Sequence, residues 1–225
     1  RLTLGIPTIL SVLLLPKILP GFTRQYPDIE LKIYETPTLT ATKMIDEASL
    51  DFAFGINDSE IYPNVDSEII HRTNLVLFAN VDNPLAKEPI VTNDMLNGAP
   101  FVILCENSFH YKIITQRLKD TQPNIILNSN QLSTIRYMLE NDLAVTILYK
   151  EIFENTKNFH AIPLKQPIVA NISVLWRRHR YISSAMKAFL DYMIEIISGN
   201  KLVSLAVALM LDLFNNPSGV ISPIG

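Results

Sequence analysis

The residues of this chain that could carry chemistry are few and scattered. Four histidines, His71, His110, His160 and His179, stand far apart, with no metal-ligand spacing. A histidine with no partner nearby in sequence reads first as a packing or surface residue. The one cysteine, Cys105, closes an apolar run and precedes Glu106 and Asn107. As a nucleophile it would need a positioned base, and none is identifiable. A small buried thiol lining a pocket is the plainer reading. The sequence holds no GxGxxG, GxxxxGK[ST], HExxH, CxxC or GxSxG. Trp176-Arg177-Arg178-His179-Arg180 is the basic cluster, either a phosphate-contacting patch or a solvated strand-to-helix loop. Nothing here points to an enzyme, a cofactor or a metal.

What remains is positional. In open parallel sheets, ligands bind beyond the carboxyl ends of the strands, at helix N-termini. Those places carry Pro7-Thr8-Ile9, Thr36-Pro37-Thr38, Gly55-Ile56-Asn57, Cys105-Glu106-Asn107-Ser108 and Ser129-Asn130-Gln131. All are rich in small or polar groups, the signature of a binding cleft. Each serine, threonine or asparagine has a second reading, that it only caps its own helix.

The elements that must position these residues follow from periodicity. Leu2 to Gly5 reads as a buried strand. Thr8 is placed to cap a helix from near Ile9, with Leu10, Leu14, Ile18, Phe22 and Tyr26 on one face. Pro16 and Pro20 lie inside that pattern and predict a kinked or interrupted helix. Ile29 to Glu35 alternates as a strand. Thr38 is placed to cap a helix with Met44, Ile45 and Ala48 inward, and Asp51 to Gly55 is the next buried strand. Ile69 to Val81 is a long strand with a polar break at His71 to Asn74. A helical turn follows at Met95 and Leu96, a strand at Phe101 to Leu104, and a helix at Ser108 to Lys119. Ile125 to Leu127 is a strand, Ser129 or Asn130 caps a helix through Ile135, Met138 and Leu139, and Ala144 to Leu148 is a strand. Ile168 to Trp176 is a further long strand, and Tyr181 to Ile197 a helix stopped at Gly199. Strand and helix alternate as two βαβαβ halves, an α/β architecture.

Composition agrees. At 225 residues the chain is one large domain or two small ones. It is 48% hydrophobic and 18% charged, which excludes a disordered chain. Nineteen basic against 22 acidic residues argue against a dedicated nucleic-acid surface. A single cysteine forms no intramolecular disulfide and fits a reducing, cytoplasmic location. The chain opens on Arg1, the mark of a fragment or a processed chain, and shows no signal peptide. Residues 199–225 form an unexplained tail, whose apolar stretch Leu202 to Phe214 is shorter than the roughly 18 residues that cross a bilayer.

The order of these features is familiar. LTLGIPTILSVLLLPKILPGFTRQYPDIELKIYE resembles the opening of the effector-binding domain of LysR-type transcriptional regulators, through Gly5, Leu14, Leu15, Pro16, Phe22, Tyr26, Pro27, Ile29, Leu31 and Glu35. MIDEASLDFAFG is similar to the family's segment ending in Leu-Asp, here Leu50 and Asp51. NLVLFANVDNPLAKEPIVTNDMLNGAPFVIL resembles its crossing strand and "HPLA" turn. IRYMLENDLAVTILYKE and VLWRRHRYISSAMKAFLDYM resemble later elements. The likeness spans about residues 1–198. Departures are Asn141 and Ala144 where the family often has glycine, Tyr149 where it often has proline, Pro20 inside the first helix, and Asn83 for the usual histidine.

The resemblance implies a two-lobe fold like that of type 2 periplasmic binding proteins, each lobe a mostly parallel βαβαβ sheet. Lobe I is expected at 1–73 plus 173–198 and lobe II at 74–172, joined by two crossing strands. It implies a small-molecule effector between the lobes, in contact with Pro7, Thr8, Ile9, Thr38, Gly55, Asn57, Cys105, Glu106, Asn107 and Gln131. Helix N-termini favour an anionic metabolite. It further implies a homodimer or homotetramer, with DNA bound only through a winged helix-turn-helix N-terminal to this region, and no membrane. The alternative is a type 2 solute-binding protein of a transporter.

Overall fold

The structure, a computed structural model, describes residues 1–56, 64–106, 108–153, 156–179 and 181–198. Asn57, Asn107 and the apolar tail 199–225 lie outside the described residues. The elements run β1 (Leu2–Ile6), α1 (Thr8–Gln25), β2 (Leu31–Glu35), α2 (Thr38–Asp46), β3 (Phe52–Ile56), β4 (Val65–Asn80), β5 (Pro100–Ile103), α3 (Phe109–Arg117), β6 (Asn124–Asn128), α4 (Leu132–Glu140), β7 (Thr146–Tyr149), β8 (Phe159–Ile162), β9 (Ile168–Arg177) and α5 (Ser184–Ser198). Short 3-10 turns stand at Pro84–Lys87, Asn93–Leu96 and Lys150–Phe153. This is the α/β alternation that the periodicity predicts. The chain divides into two compact units. One holds Arg1–Pro7, Leu14–His71 and the chain from Asn171 on, the other Thr8–Leu13 and Arg72–Ala170.

In the first unit the strand order is β2-β1-β3-β9. β1 is parallel to β2, from Leu2 opposite Leu31 to Ile6 opposite Glu35, and parallel to β3. β9 runs antiparallel to β3, with Phe52 opposite Trp176. β1, β2 and β3 therefore end at one edge. At their other end Asp51 locks β3 to β1: its Oδ2 accepts from the Thr3 amide at 2.7 Å and hydroxyl at 2.8 Å, while its own N–H donates to Thr3. This gives the Leu50-Asp51 pair a structural reason, since Leu50 is fully buried beside it. Phe22, Phe52, Phe54 and Phe189 form an aromatic core. Ala41, Ile45, Ala53, Val65 and Leu175 pack with Leu50 in a second cluster.

In the second unit β4 pairs antiparallel with β7 and with β8. β5 and β6 are parallel, and Phe101 forms a parallel bridge to Val145, just ahead of β7. Phe153 packs edge-on against both Phe78 and Phe159. Asn80, buried at the end of β4, donates to the carbonyls of Leu139 and Glu140 and so closes the C-terminus of α4.

Several local expectations are corrected. α1 is not interrupted at Pro16 and Pro20; one helix runs through both. Both prolines are exposed, as is Val12, one of the residues whose carbonyl loses its donor, so water can reach this face of the helix. Thr8 and Thr38 do not cap their helices: Pro7 and Pro37 hold those positions, and neither makes a side-chain cap bond. Proline's fixed φ, with ψ of 139° and 151°, already supplies the extended geometry that a cap needs. Gln131, not Ser129 or Asn130, precedes α4, again without a side-chain cap. Ala48 is exposed and left-handed, at φ 59°, past the end of α2, and Met44 is only half-buried. The polar stretch His71 to Asn74 does not interrupt β4, because Thr73 turns inward while its neighbours face solvent. β7 does not pair with β5 as a ladder; it pairs antiparallel with β4. Cys105 is half-exposed, not buried. β8 has no counterpart in the periodicity, since FHAI is too short to show a pattern.

Candidate functional site

In the first unit the carboxyl ends of β1, β2 and β3 bring Pro7, Thr38 and Gly55 to one edge. The Thr36 amide donates to the Ile6 carbonyl at 2.9 Å, tying the two strand ends together. The Thr38 hydroxyl accepts from the Ile56 amide at 3.3 Å, so it joins the start of α2 to the end of β3. Gly55 makes this approach possible. A Cβ there would lie 2.6 Å from the Thr38 methyl and 2.9 Å from a Leu175 methyl. Thr38 and Gly55 thus form one packed junction. Pro37, which precedes α2, offers no side-chain acceptor to its first-turn amides.

Thr8 and Ile9 open α1 and group with the second unit. Ile9 is buried and Thr8 half-buried. The Ser11 hydroxyl donates to the Thr8 carbonyl at 2.7 Å. At the ends of β5 and β6, the Ser129 amide donates to the Ile103 carbonyl, and the Cys105 amide donates to the Asn130 side chain at 3.0 Å. Cys105 and Asn130 are thereby held together. Ser108 caps α3 by accepting from the Tyr111 amide, the role its residue type predicts. Gln131 and Glu106 are exposed, and the Gln131 side chain accepts from Thr134. Sequence reading missed the part that Asn130 plays. An asparagine just ahead of a helix reads as a cap, and no local spacing reveals a bond to a residue 25 positions away.

Glu35 closes β2 and Glu106 follows β5, and other charged and titratable groups make bonds of their own. Arg178 of the basic cluster holds Asp66 through two nitrogens, at 2.6 and 2.9 Å, and this partnership raises its pKa further. His160 bonds the Ala86 carbonyl at 3.0 Å. His110, in the first turn of α3, is buried against Tyr149. Burial pushes the Tyr149 phenol up and Glu68, on β4, up as well. No group of three or more His, Cys, Asp or Glu among the described residues could hold a metal. No helix among them is long and apolar enough to cross a membrane.

Residues 1–197 match the family model of the LysR substrate binding domain. A curated relative is the uncharacterized HTH-type transcriptional regulator YwbI of Bacillus subtilis strain 168, 24% identical over 196 residues. The match covers 84% of this chain and 64% of the relative, so the chain spans just under two thirds of that protein's length. The regulatory domain of Synechocystis PCC6803 CcmR, solved in complex with 2-PG, superposes with a TM-score of 0.77 at 18% identity, over 88% of this chain and 97% of that one. The effector binding domain of QuiR in complex with shikimate gives 0.74 at 18%, over 89% and 97%. These neighbours share the type 2 periplasmic-binding-protein-like fold.

Proposed function

The chain belongs to the family of LysR substrate-binding domains, and on that premise we propose that it is the effector-sensing part of a DNA-binding transcriptional regulator. Residues 1–73 with 173–198, and residues 74–172, are its two lobes. DNA is bound by another part of the regulator, and the protein works in the cytoplasm, without catalysis. The effector is a small anionic metabolite, and the strand-end residues described above are its contacts. Effector binding stabilises one conformation through its differential affinity for that state. The regulator identity of the curated relative favours this over a transporter's solute-binding protein.

The observation that carries the effector reading is that the residues preceding α1, α2 and α4, namely Pro7, Pro37 and Gln131, cap none of these helices through their side chains. Uncapped first-turn amides and the helix dipole together favour a negatively charged ligand. Shikimate, bound by QuiR, is a carboxylate, which supports the same chemistry. A thermal-shift screen of small carboxylates, amines and sugars tests it. Carboxylates are expected to raise the midpoint with concentration, and a response to amines or sugars alone sinks the anion assignment. Thr8→Ala is expected to weaken the effective carboxylate about 3–10-fold, with unfolding changed by under roughly 0.5 kcal/mol. Unchanged affinity in calorimetry removes Thr8 from the site.

The same regulator assembles as a homodimer or homotetramer. Support comes from β6, an edge strand that exposes Ile125 and Ile126, each 43% accessible. Unpaired apolar edges are what natural proteins cover or charge. Ile126→Lys is expected to weaken self-association by about tenfold or more. Sedimentation equilibrium showing the same dimer constant in both proteins would set this edge aside.

A further inference from the structure

The second unit carries a pocket of about 500 Å³ that none of the strand-end residues lines. It opens beside the last turn of α3 and the approach to β9. Arg117, the final residue of α3, lines it. Asn93 fixes that turn by donating to the Arg117 carbonyl at 3.2 Å. The guanidinium Nη2 donates to the backbone carbonyl of Gln166, which tethers the side chain across the pocket. Its Nε is buried, with no acceptor among the described residues. A shielded cationic N–H without a partner has lost its hydration and regained nothing. A cation near a helix C-terminus has a structural reason of its own, but that reason does not account for the unpartnered Nε.

The geometry points to this pocket as a binding site for a small organic monocarboxylate. Arg117 and Lys119 supply the cationic end, and Lys119 is exposed and forms no ion pair among the described residues. Ile113 and Ile168 supply an apolar wall for the ligand's carbon chain. Asp120 lines the same space and disfavours a second negative charge. Two cations against one carboxylate leave one positive charge to match. A guanidinium edge takes a planar carboxylate through paired N–H donors. Nε lies beneath the pocket surface, so binding there requires a lining side chain to move aside, and Gln116 and Gln166 are the long, exposed side chains placed to do so. The volume lies within the range of small-molecule sites.

NMR of the whole chain reads this directly, because the Arg117 Nε–H gives its own resonance. Titration with 4-methylpentanoate to about 20 mM at fixed ionic strength is expected to move that resonance saturably. The neutral 4-methylpentanamide and inorganic phosphate are expected to bind at least tenfold more weakly. Arg117→Lys, followed through the Ile113 and Lys119 amides, is expected to lose tenfold or more, and the surface variant Lys119→Ala about threefold. Thr8→Ala is expected to leave the titration unchanged, which separates this pocket from the strand-end site. The assignment is overturned by no saturable shift, by an amide or phosphate that binds as well as the carboxylate, by Arg117→Lys retaining affinity, or by Thr8→Ala abolishing the response.

Discussion

Truncating Phe189 to alanine is expected to lower the unfolding free energy by about 3–5 kcal/mol. The side chain is fully buried on α5. Its ring meets Phe22 at 5.4 Å, Phe52 at 5.5 Å and Phe54 at 6.4 Å. Those three partners come from α1 and β3, so one ring joins α5 to α1 and to a central strand. Removing it leaves a hole walled by rigid rings that cannot collapse to fill it, the case in which the cavity penalty is largest. Against a total stability of roughly 5–15 kcal/mol, the midpoint of thermal unfolding should fall by roughly 6–20 °C. Phe189→Leu, which keeps most of the volume, should recover about half of the loss. Circular dichroism melts decide it, and a drop of under about 3 °C in the alanine variant would show that this cluster is not the centre of the unit's core.

The second large effect is acid sensitivity through His110. Its Nε2 lies 2.6 Å from the Ile147 carbonyl, which can only accept, so the proton sits on Nε2. The Nδ1 lone pair is then buried with no partner. Charging the ring would place a proton on Nδ1 with nothing to receive it, and Tyr149 beside it stays a neutral phenol. Burial accordingly drops the His110 pKa from 6.5 to about 4, while the Ile147 bond offsets a part of that fall. In the unfolded chain the ring titrates near 6.5, so between pH 6.5 and 4 the unfolded state holds the extra proton. Stability is therefore complete above pH 6.5 and falls as the pH drops through that window, by about 2 kcal/mol at pH 5 and about 3 kcal/mol below pH 4. Urea unfolding from pH 7.5 to 4 measures the slope. His110→Gln keeps an N–H donor for the Ile147 carbonyl and cannot titrate, so its slope should be shallower by up to one proton. Equal slopes in the two proteins would move the acid sensitivity elsewhere.

The sequence makes the elements legible where a pattern is long or chemically marked. The i+4 row of α1, the alternation of β2, the buried run FAFGI and the Asn-Pro turn after β4 all appear where periodicity puts them. Capping shows the limit of such reading. Thr8 and Thr38 have the right residue type one position too late, because the prolines before them already hold the extended geometry. Proline's reputation as a breaker likewise misleads at Pro16 and Pro20, where exposure lets water take over the lost hydrogen bonds. In the strand-end set, the junction of Thr38 with Gly55 depends on a distance between two segments, and the hold of Asn130 on Cys105 does too. Neither is encoded in a local spacing. The pocket around Arg117 gathers residues from three separated stretches and has no motif at all.

The pairing of β3 with β9 carries a further meaning for how the chain is made. Phe52 and its partner Trp176 are roughly 120 residues apart. At a synthesis rate of roughly 5–20 residues per second, β3 leaves the ribosome about 6–24 s before the strand that will cover its edge. The second unit lies almost wholly inside that interval and can fold first. Through that delay the nascent chain presents FAFGI, five apolar or small residues, as an open sheet edge. The second unit thus completes its fold before the first, and a chaperone that shields β3 during translation should raise the soluble yield more than one added to the finished protein.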